Sequence, residues 1–114
     1  MTYMLLLTRG AWQDEDAPAA EREKVYERIG AWWGARTAEG TIVGGEQLAA
    51  PELATTLVIA DGGSTVLDGP FLESKETIGG YALLDVPDAA QAIAVARTFP
   101  VPDGRVEVRP IVVR

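Results

Sequence analysis

A group of acidic and basic side chains stands in the segment 68–81, which reads DGPFLESKETIGGY. If the chain runs extended after its turn, Phe71, Glu73 and Lys75 share one face, because alternate residues of a strand point the same way. A carboxylate beside an amine and an aromatic ring could form the polar end of an otherwise apolar pocket. The alternatives are a surface ion pair worth at most about 1 kcal/mol, or charges that set the register of a dimer.

Further residues are candidates for the same pocket, or else for solvated positions in loops and at strand ends: Arg9, Trp12, Glu46, Asp68 and Asp85. Glu46 follows two glycines, where the backbone can open. In an enzyme, Glu73, Glu46 or Asp68 would act as the acid or base. Lys75 or Arg9 would then hold a substrate carboxylate or a developing anion. Asp68 and Phe71 also have a structural interpretation, as part of a turn and as a core residue.

The composition excludes several kinds of chemistry. The 114 residues include no cysteine and no histidine. Disulfides, thiolate nucleophiles, Ser-His-Asp triads and sites built on His or Cys ligands are therefore excluded. The glycine pairs lack the lysine of a phosphate-binding loop and the spacing of a dinucleotide fingerprint. No spacing of acids resembles a calcium loop, so we expect neither a metal nor a cofactor.

The net charge of −7 is spread along a chain whose ten Lys and Arg residues form no cluster. Nucleic acid and anionic membrane surfaces both require a basic face, so we expect neither as a partner. The apolar run near the amino terminus is too short to span a bilayer and lacks the features of a signal peptide. A cytoplasmic protein is expected.

Two helices are predicted. Apolar residues three or four positions apart indicate one over 18–37, and its neighbouring Trp32 and Trp33 cannot both face one core. One of them is expected to line a groove or a second subunit. The other helix begins after Asp88, with Gln91 in the position of a capping box, and Pro100 ends it.

Strands are predicted at 2–8, 41–50, 77–86 and 104–113, and a hairpin at 55–69. The strand 41–50 is expected to break at Gly44-Gly45. The order is that of an α+β protein, a ferredoxin-like split βαβ arrangement with an added β-hairpin, in one domain spanning 1–114. Strands 2–8 and 77–86 are apolar on both faces, so both faces of the sheet need a cover. We expect a homodimer that packs sheet on sheet.

Four segments carry a family resemblance: YMLLL at the start, GGEQL at 44–48, DGPFLESKETIGGYALLDV at 68–86 and GRVEVRPI at 104–111. The chain resembles the DGPF-domain branch of the YCII-related family over nearly its whole length. The resemblance implies a dimeric α+β barrel. It also implies a possible association with bacterial sigma factors of the extracytoplasmic-function type, beside which some members are encoded.

The family includes dehydrochlorinase activity, and certain members are thought to use a histidine–aspartate pair in a cleft. Because this chain has no histidine, that mechanism does not carry over. Three functions stay open: a domain that binds a small molecule in a pocket beside the sheet, a lyase or isomerase using carboxylates, and an interaction module for a transcription regulator.

Overall fold

The computed structural model describes residues 1–69 and 77–114. Two helices and six strands are present in this part of the chain, and two three-residue 3-10 turns lie at Ala11–Gln13 and Pro51–Leu53. In chain order the main elements are β1 (Thr2–Thr8), α1 (Ala19–Ala38), β2 (Ile42–Gln47), β3 (Thr55–Ala60), β4 (Gly63–Asp68), β5 (Ile78–Asp85), α2 (Ala89–Arg97) and β6 (Val106–Pro110). The predicted α+β class is confirmed.

Four of the strands form one antiparallel sheet in the order β2-β5-β1-β6. This is the strand order of the ferredoxin-like arrangement, in which the third core strand lies between the first two. The remaining strands, β3 and β4, form a separate two-stranded sheet inserted between β2 and β5. The predicted split βαβ arrangement with an added hairpin is therefore what the described residues form.

The two faces of the four-stranded sheet differ in burial. Along β1 the side chains alternate, with Tyr3, Leu5 and Leu7 buried and their neighbours half-buried. The buried side joins Trp32 of α1 and Ala92 of α2 in one hydrophobic core. The other side carries the half-buried Met4, Leu6 and Leu83. The helices thus stabilise one face of the sheet, and the second face presents apolar side chains.

Strand β2 does not break at its glycine pair, and that prediction was wrong. Its pairing with β5 continues from Gly44 opposite Leu83 to Gln47 opposite Gly80. The glycines instead accompany a shift of register between Ile42 and Gly44, which is the effect of a β-bulge. The strand therefore extends far enough to bring Gln47 beside the end of β5.

The helix ends follow their local chemistry. Asp88 caps α2, and its Oδ1 accepts a hydrogen bond of 2.9 Å from the backbone N–H of Gln91, as the sequence predicts. The bounds of α1 differ from the predicted 18–37 by one residue at each end. In the part of the chain that the structure describes, neither helix is both long and apolar enough to cross a membrane.

The hairpin exposes most of its apolar side chains. Its tight turn places Asp61 and Gly62 at positive φ, the geometry of a type I′ connection. Leu57, Ile59 and Val66 lie on one face of the hairpin, which we call its outer face. They are 54%, 77% and 62% exposed, respectively. A two-stranded sheet is marginally stable by itself, so a hairpin with such a face gains from being covered.

Candidate functional site

A cleft of about 700 Å³ lies between α1 and the end of the sheet where β1 finishes and β5 begins. Five parts of the chain contribute to it: the carboxyl end of β1, the Ala11–Gln13 turn, one side of α1, the end of β2 and the start of β5, with Phe99 added from beyond α2. Pockets for small molecules commonly measure about 300–1,000 Å³. The cleft is thus of a suitable size for such a ligand.

Aromatic side chains form much of the cleft wall. Trp12 meets Tyr26 edge to face, with ring centroids 5.0 Å apart. Trp33 and Phe99 also line the cleft, and each of them packs against the core residue Trp32. Edge-to-face pairs of this kind add stability beyond the burial of area. Contact with the core residue Trp32 therefore fixes the positions of the Trp33 and Phe99 rings that line the cleft.

The two adjacent tryptophans of α1 have different environments. Trp32 is buried, and its Nε1–H donates a hydrogen bond of 2.7 Å to the hydroxyl of Thr98. Trp33 is half-buried and lines the cleft. The prediction that one of the pair would line a groove is confirmed.

Neutral polar groups converge at one point of the cleft. The phenolic oxygen of Tyr26 lies 3.3 Å from Nε2 of Gln13 and 3.5 Å from Nε2 of Gln47. Because both amides donate to this oxygen, the Tyr26 hydroxyl hydrogen and the two amide oxygens stay available to a ligand. Both hydrogen bonds are long and correspondingly weak, so a ligand can replace either of them at low cost.

Glycines make room where the backbones meet. Gly45 has φ +134°, and an added Cβ would come within 2.8 Å of the Ala82 Cα and 2.9 Å of Trp33 Cη2. At Gly79 an added Cβ would lie 2.9 Å from Cγ of Arg9. A side chain at position 45 would push β2 away from β5, and one at position 79 would push the loop after β1 away from β5.

The loop that carries Trp12 and Gln13 is fastened to the segment before β6. Oδ1 of Asp103 accepts a hydrogen bond of 2.7 Å from the backbone N–H of Ala11. Nearby, the hydroxyl of Thr8 accepts one of 2.7 Å from the backbone N–H of Arg105. A backbone hydrogen bond of 3.0 Å joins the same pair of residues. Together these bonds position one wall of the cleft.

Of the predicted site residues, Trp12 and Glu46 line the cleft. The alternation of β2 sets the direction of the Glu46 side chain. Glu46 lies opposite Tyr81, which in turn lies opposite Leu6 on the half-buried face, and directly opposed residues point to the same side of a sheet. The carboxylate of Glu46 is thus directed away from the face of Leu7 and Gln47 on which the cleft opens.

The other predicted residues are dispersed. The stem of Arg9 packs over Gly79 at the margin of the cleft. Asp68 ends β4 opposite Thr55 in the hairpin. Asp85 is at the far end of β5, about 20 Å along the strand from Gly79, with a carboxylate oxygen 3.9 Å from the amino-terminal nitrogen. Asp85 therefore does not come to the cleft, and Phe71, Glu73 and Lys75 lie outside the described residues.

Sequence reasoning did not single out Gln13, Tyr26, Gln47 or Phe99 as site residues. One signal was present, since Tyr26, Ile29 and Trp33 follow each other at helical spacing and so form a second apolar side of α1 beside the core side. The glutamines carried no such signal. They meet at Tyr26 only because β2 and the loop after β1 end at the same edge of the fold.

The described part of the cleft is poor in charge. Glu46 is the one residue with a charged side chain among the described residues that line it, and that side chain is directed to the other face. Within residues 1–69 and 77–114, no group of three or more acids forms a metal-binding cluster. The arrangement can accommodate an apolar ring and hydrogen-bond a neutral polar group.

These features define a class: an α+β domain of ferredoxin-like strand order with an aromatic cleft between its first helix and its sheet. The model of the YCII-related domain matches residues 1–113, and the chain belongs to this family. No curated protein matches the chain.

Proposed function

We propose that this YCII-related chain is a homodimeric domain that binds a small organic molecule in the cleft beside its sheet. The observation that carries the proposal is the cleft itself, with aromatic walls and neutral polar groups that converge on Tyr26. An apolar pocket with a few oriented polar groups is the usual form of a small-molecule site. Binding there requires no histidine and no metal.

In the proposed dimer, the second face of the sheet forms the interface. Met4, Leu6 and Leu83 form an apolar strip on it, and Glu107 and Arg109 pair with each other at 2.7 Å on the adjoining strand β6. A second copy packed sheet on sheet would remove this strip from water, which is worth about 25 cal/mol per Å² of apolar area. Such packing gives the dimeric α+β barrel that the family resemblance implies.

Native mass spectrometry of freshly purified protein tests both parts of the proposal. The expected result is a dimer whose mass exceeds twice that of the denatured chain by the mass of one or two small molecules. A dimer of twice the chain mass that also binds no compound from an aromatic library would contradict the proposed cleft function. A monomer at micromolar concentration would contradict the assembly.

A matched pair of variants tests the face used by the dimer. Leu6→Glu places a charge on the apolar strip, and it should shift the protein to monomer because an unpaired carboxylate would be desolvated there. Val113→Glu adds the same charge at a residue that is 84% exposed beyond β6, and it should stay dimeric. Equal behaviour of the two variants would exclude the strip as the interface.

One observation favours a second function, an interaction module for a transcription regulator such as one associated with a sigma factor. The outer face of the β3–β4 hairpin is apolar and exposed, and exposed apolar patches mark protein interaction sites. The double variant Leu57→Ser with Val66→Ser makes the outer face of the hairpin polar. It should then abolish binding to the regulator and leave the dimer and the cleft intact. Loss of the dimer instead would assign the hairpin to the homodimer.

A further inference from the structure

The cleft's polar groups define the chemical class of its ligand more closely than its volume does. We infer that the cleft binds a flat, uncharged ring compound that carries a hydrogen-bond donor beside an acceptor on one edge. The inference rests on the proposed small-molecule function and specifies it. Three observations carry it: the aromatic walls, the absence of charge among the cleft-facing side chains that are described, and the geometry at Tyr26.

The aromatic walls of the cleft indicate the shape of the ligand. The Ala11–Gln13 turn supplies Trp12, α1 supplies Tyr26 and Trp33, and all three rings line the same cleft. Aromatic rings bind other rings through stacked and edge-to-face contacts, with centroids about 4.5–7 Å apart. Gly45 and Gly79 have no side chains to fill the bottom of the cleft beside β2 and β5. A flat ring makes stacked or edge-to-face contacts with such walls, whereas a branched aliphatic chain does not.

The part of the lining that the structure describes matches a ligand without charge. An anion would need a cation to replace its hydration, and the described lining contains no Lys or Arg. A cation would be matched by a carboxylate, but the pleat of β2 directs Glu46 to the other face. Arg9 stands at the margin with its stem over Gly79, and an anionic probe tests whether it contributes.

The edge pattern follows from Tyr26. Its oxygen already accepts from the amides of Gln13 and Gln47, so its hydroxyl hydrogen is free to donate to an acceptor on the ligand. The oxygen of either amide can accept from a donor beside it. The Oε1 of Gln13 lies 3.6 Å from the position of an added Cβ on Gly79, that is, next to the cleft floor.

Calorimetric titration with four bicyclic probes tests the inference. The probes are 2-quinolone, which is neutral and has an N–H beside a C=O, naphthalene, the anion quinoline-2-carboxylate and the cation 1-methylquinolinium. We expect 2-quinolone to bind about 10-fold more tightly than either charged probe, and about 3- to 10-fold more tightly than naphthalene, the ratio that one net hydrogen bond supplies. In ¹⁵N spectra the indole signals of Trp12 and Trp33 should shift, and that of the buried Trp32 should move least.

Variants separate the hydrogen bonds from the walls. Gln47→Leu and Gln13→Leu should each reduce the preference for 2-quinolone over naphthalene, and the double variant should remove most of it while naphthalene still binds. Gln91→Leu, at an exposed position on α2, is the control and should leave all four affinities unchanged. Retention of the preference in the double variant Gln13→Leu with Gln47→Leu would overturn the assigned edge.

The outcomes also separate this inference from the proposed function. Tightest binding by a charged probe would overturn the inference and leave the proposed function standing. If no probe binds but native mass spectrometry finds a retained non-aromatic molecule, the inference falls and the function stays. If no probe binds and no molecule is retained, both fall.

Discussion

Trp32 and Trp33 are neighbours in α1, with ring centroids 6.0 Å apart at an interplanar angle of 70°, yet they lie on opposite sides of the boundary between core and cleft. Trp32 is only 7% exposed and is hydrogen-bonded to Thr98. Trp33 stands one residue on, about 100° around the helix, and lines the cleft. One dipeptide thus supplies one residue of the core and one residue of the cleft wall.

This difference predicts separable effects of mutation. Trp32→Ala leaves a cavity in the core and should lower the free energy of unfolding by about 3–5 kcal/mol. Trp33→Ala should lower it by less than half as much but should weaken binding of 2-quinolone in the cleft. Urea unfolding followed by far-UV circular dichroism gives the first quantity and calorimetry the second. Equal losses of stability would show that the two rings share one environment.

A second prediction concerns the glycine at the crossing of β2 and β5. Gly45→Ala places a Cβ against the neighbouring strand and Trp33 at a φ of +134°, so it should cost about 2 kcal/mol or more. Gly34→Ala is the matched control in α1, where an added Cβ meets nothing within 4 Å. It should raise the free energy of unfolding by about 0.5–1 kcal/mol. Thermal unfolding of the two variants under one condition should therefore show changes of opposite sign.

The third prediction concerns the fastening of the loop that carries Trp12. Asp103→Ala removes the acceptor for the backbone N–H of Ala11 and should cost about 1–2 kcal/mol, with faster amide hydrogen exchange at 11–13. Asp103→Asn keeps an oxygen in place and should recover most of the loss. Asp85→Ala is the control, because its ion pair of 3.9 Å with the amino terminus is largely exposed, and it should change stability by less than about 0.5 kcal/mol. An unaltered exchange rate in Asp103→Ala would show that the bond does not hold the loop.

The fourth prediction concerns the net charge of the proposed dimer. Two copies that each carry −7 repel one another, and salt screens that repulsion over a Debye length of about 10 Å at 0.1 M. The association constant of the dimer, measured by analytical ultracentrifugation, should therefore increase as the concentration of sodium chloride rises from 20 to 200 mM. A dimer that weakens with salt would indicate an interface held by opposite charges rather than by apolar contact.

The sequence alone was sufficient for the elements and their arrangement. The apolar run of strand 2–8, the cap at Asp88 and the hairpin at 55–69 are local patterns, and local backbone chemistry decides them. The error was also local in origin. Gly44-Gly45 predicts a break when it is considered alone, but pairing with β5 carries the strand through as a bulge, because the ladder of a neighbouring strand overrides the weak intrinsic preference of glycine.

The cleft was decided by tertiary structure. Sequence reasoning gave Trp12, Glu46 and a tryptophan of α1 as candidates, but it could not give the convergence of Gln13 and Gln47 on Tyr26. These three residues stand 13 and 21 positions apart, and no period or motif links such positions. Likewise, only the register of β2 against β5 turns Glu46 away from the cleft and Gln47 toward it. A change of one residue in that register would exchange the two side chains between faces, so what the cleft can bind depends on the pairing of strands and not on the residue types alone.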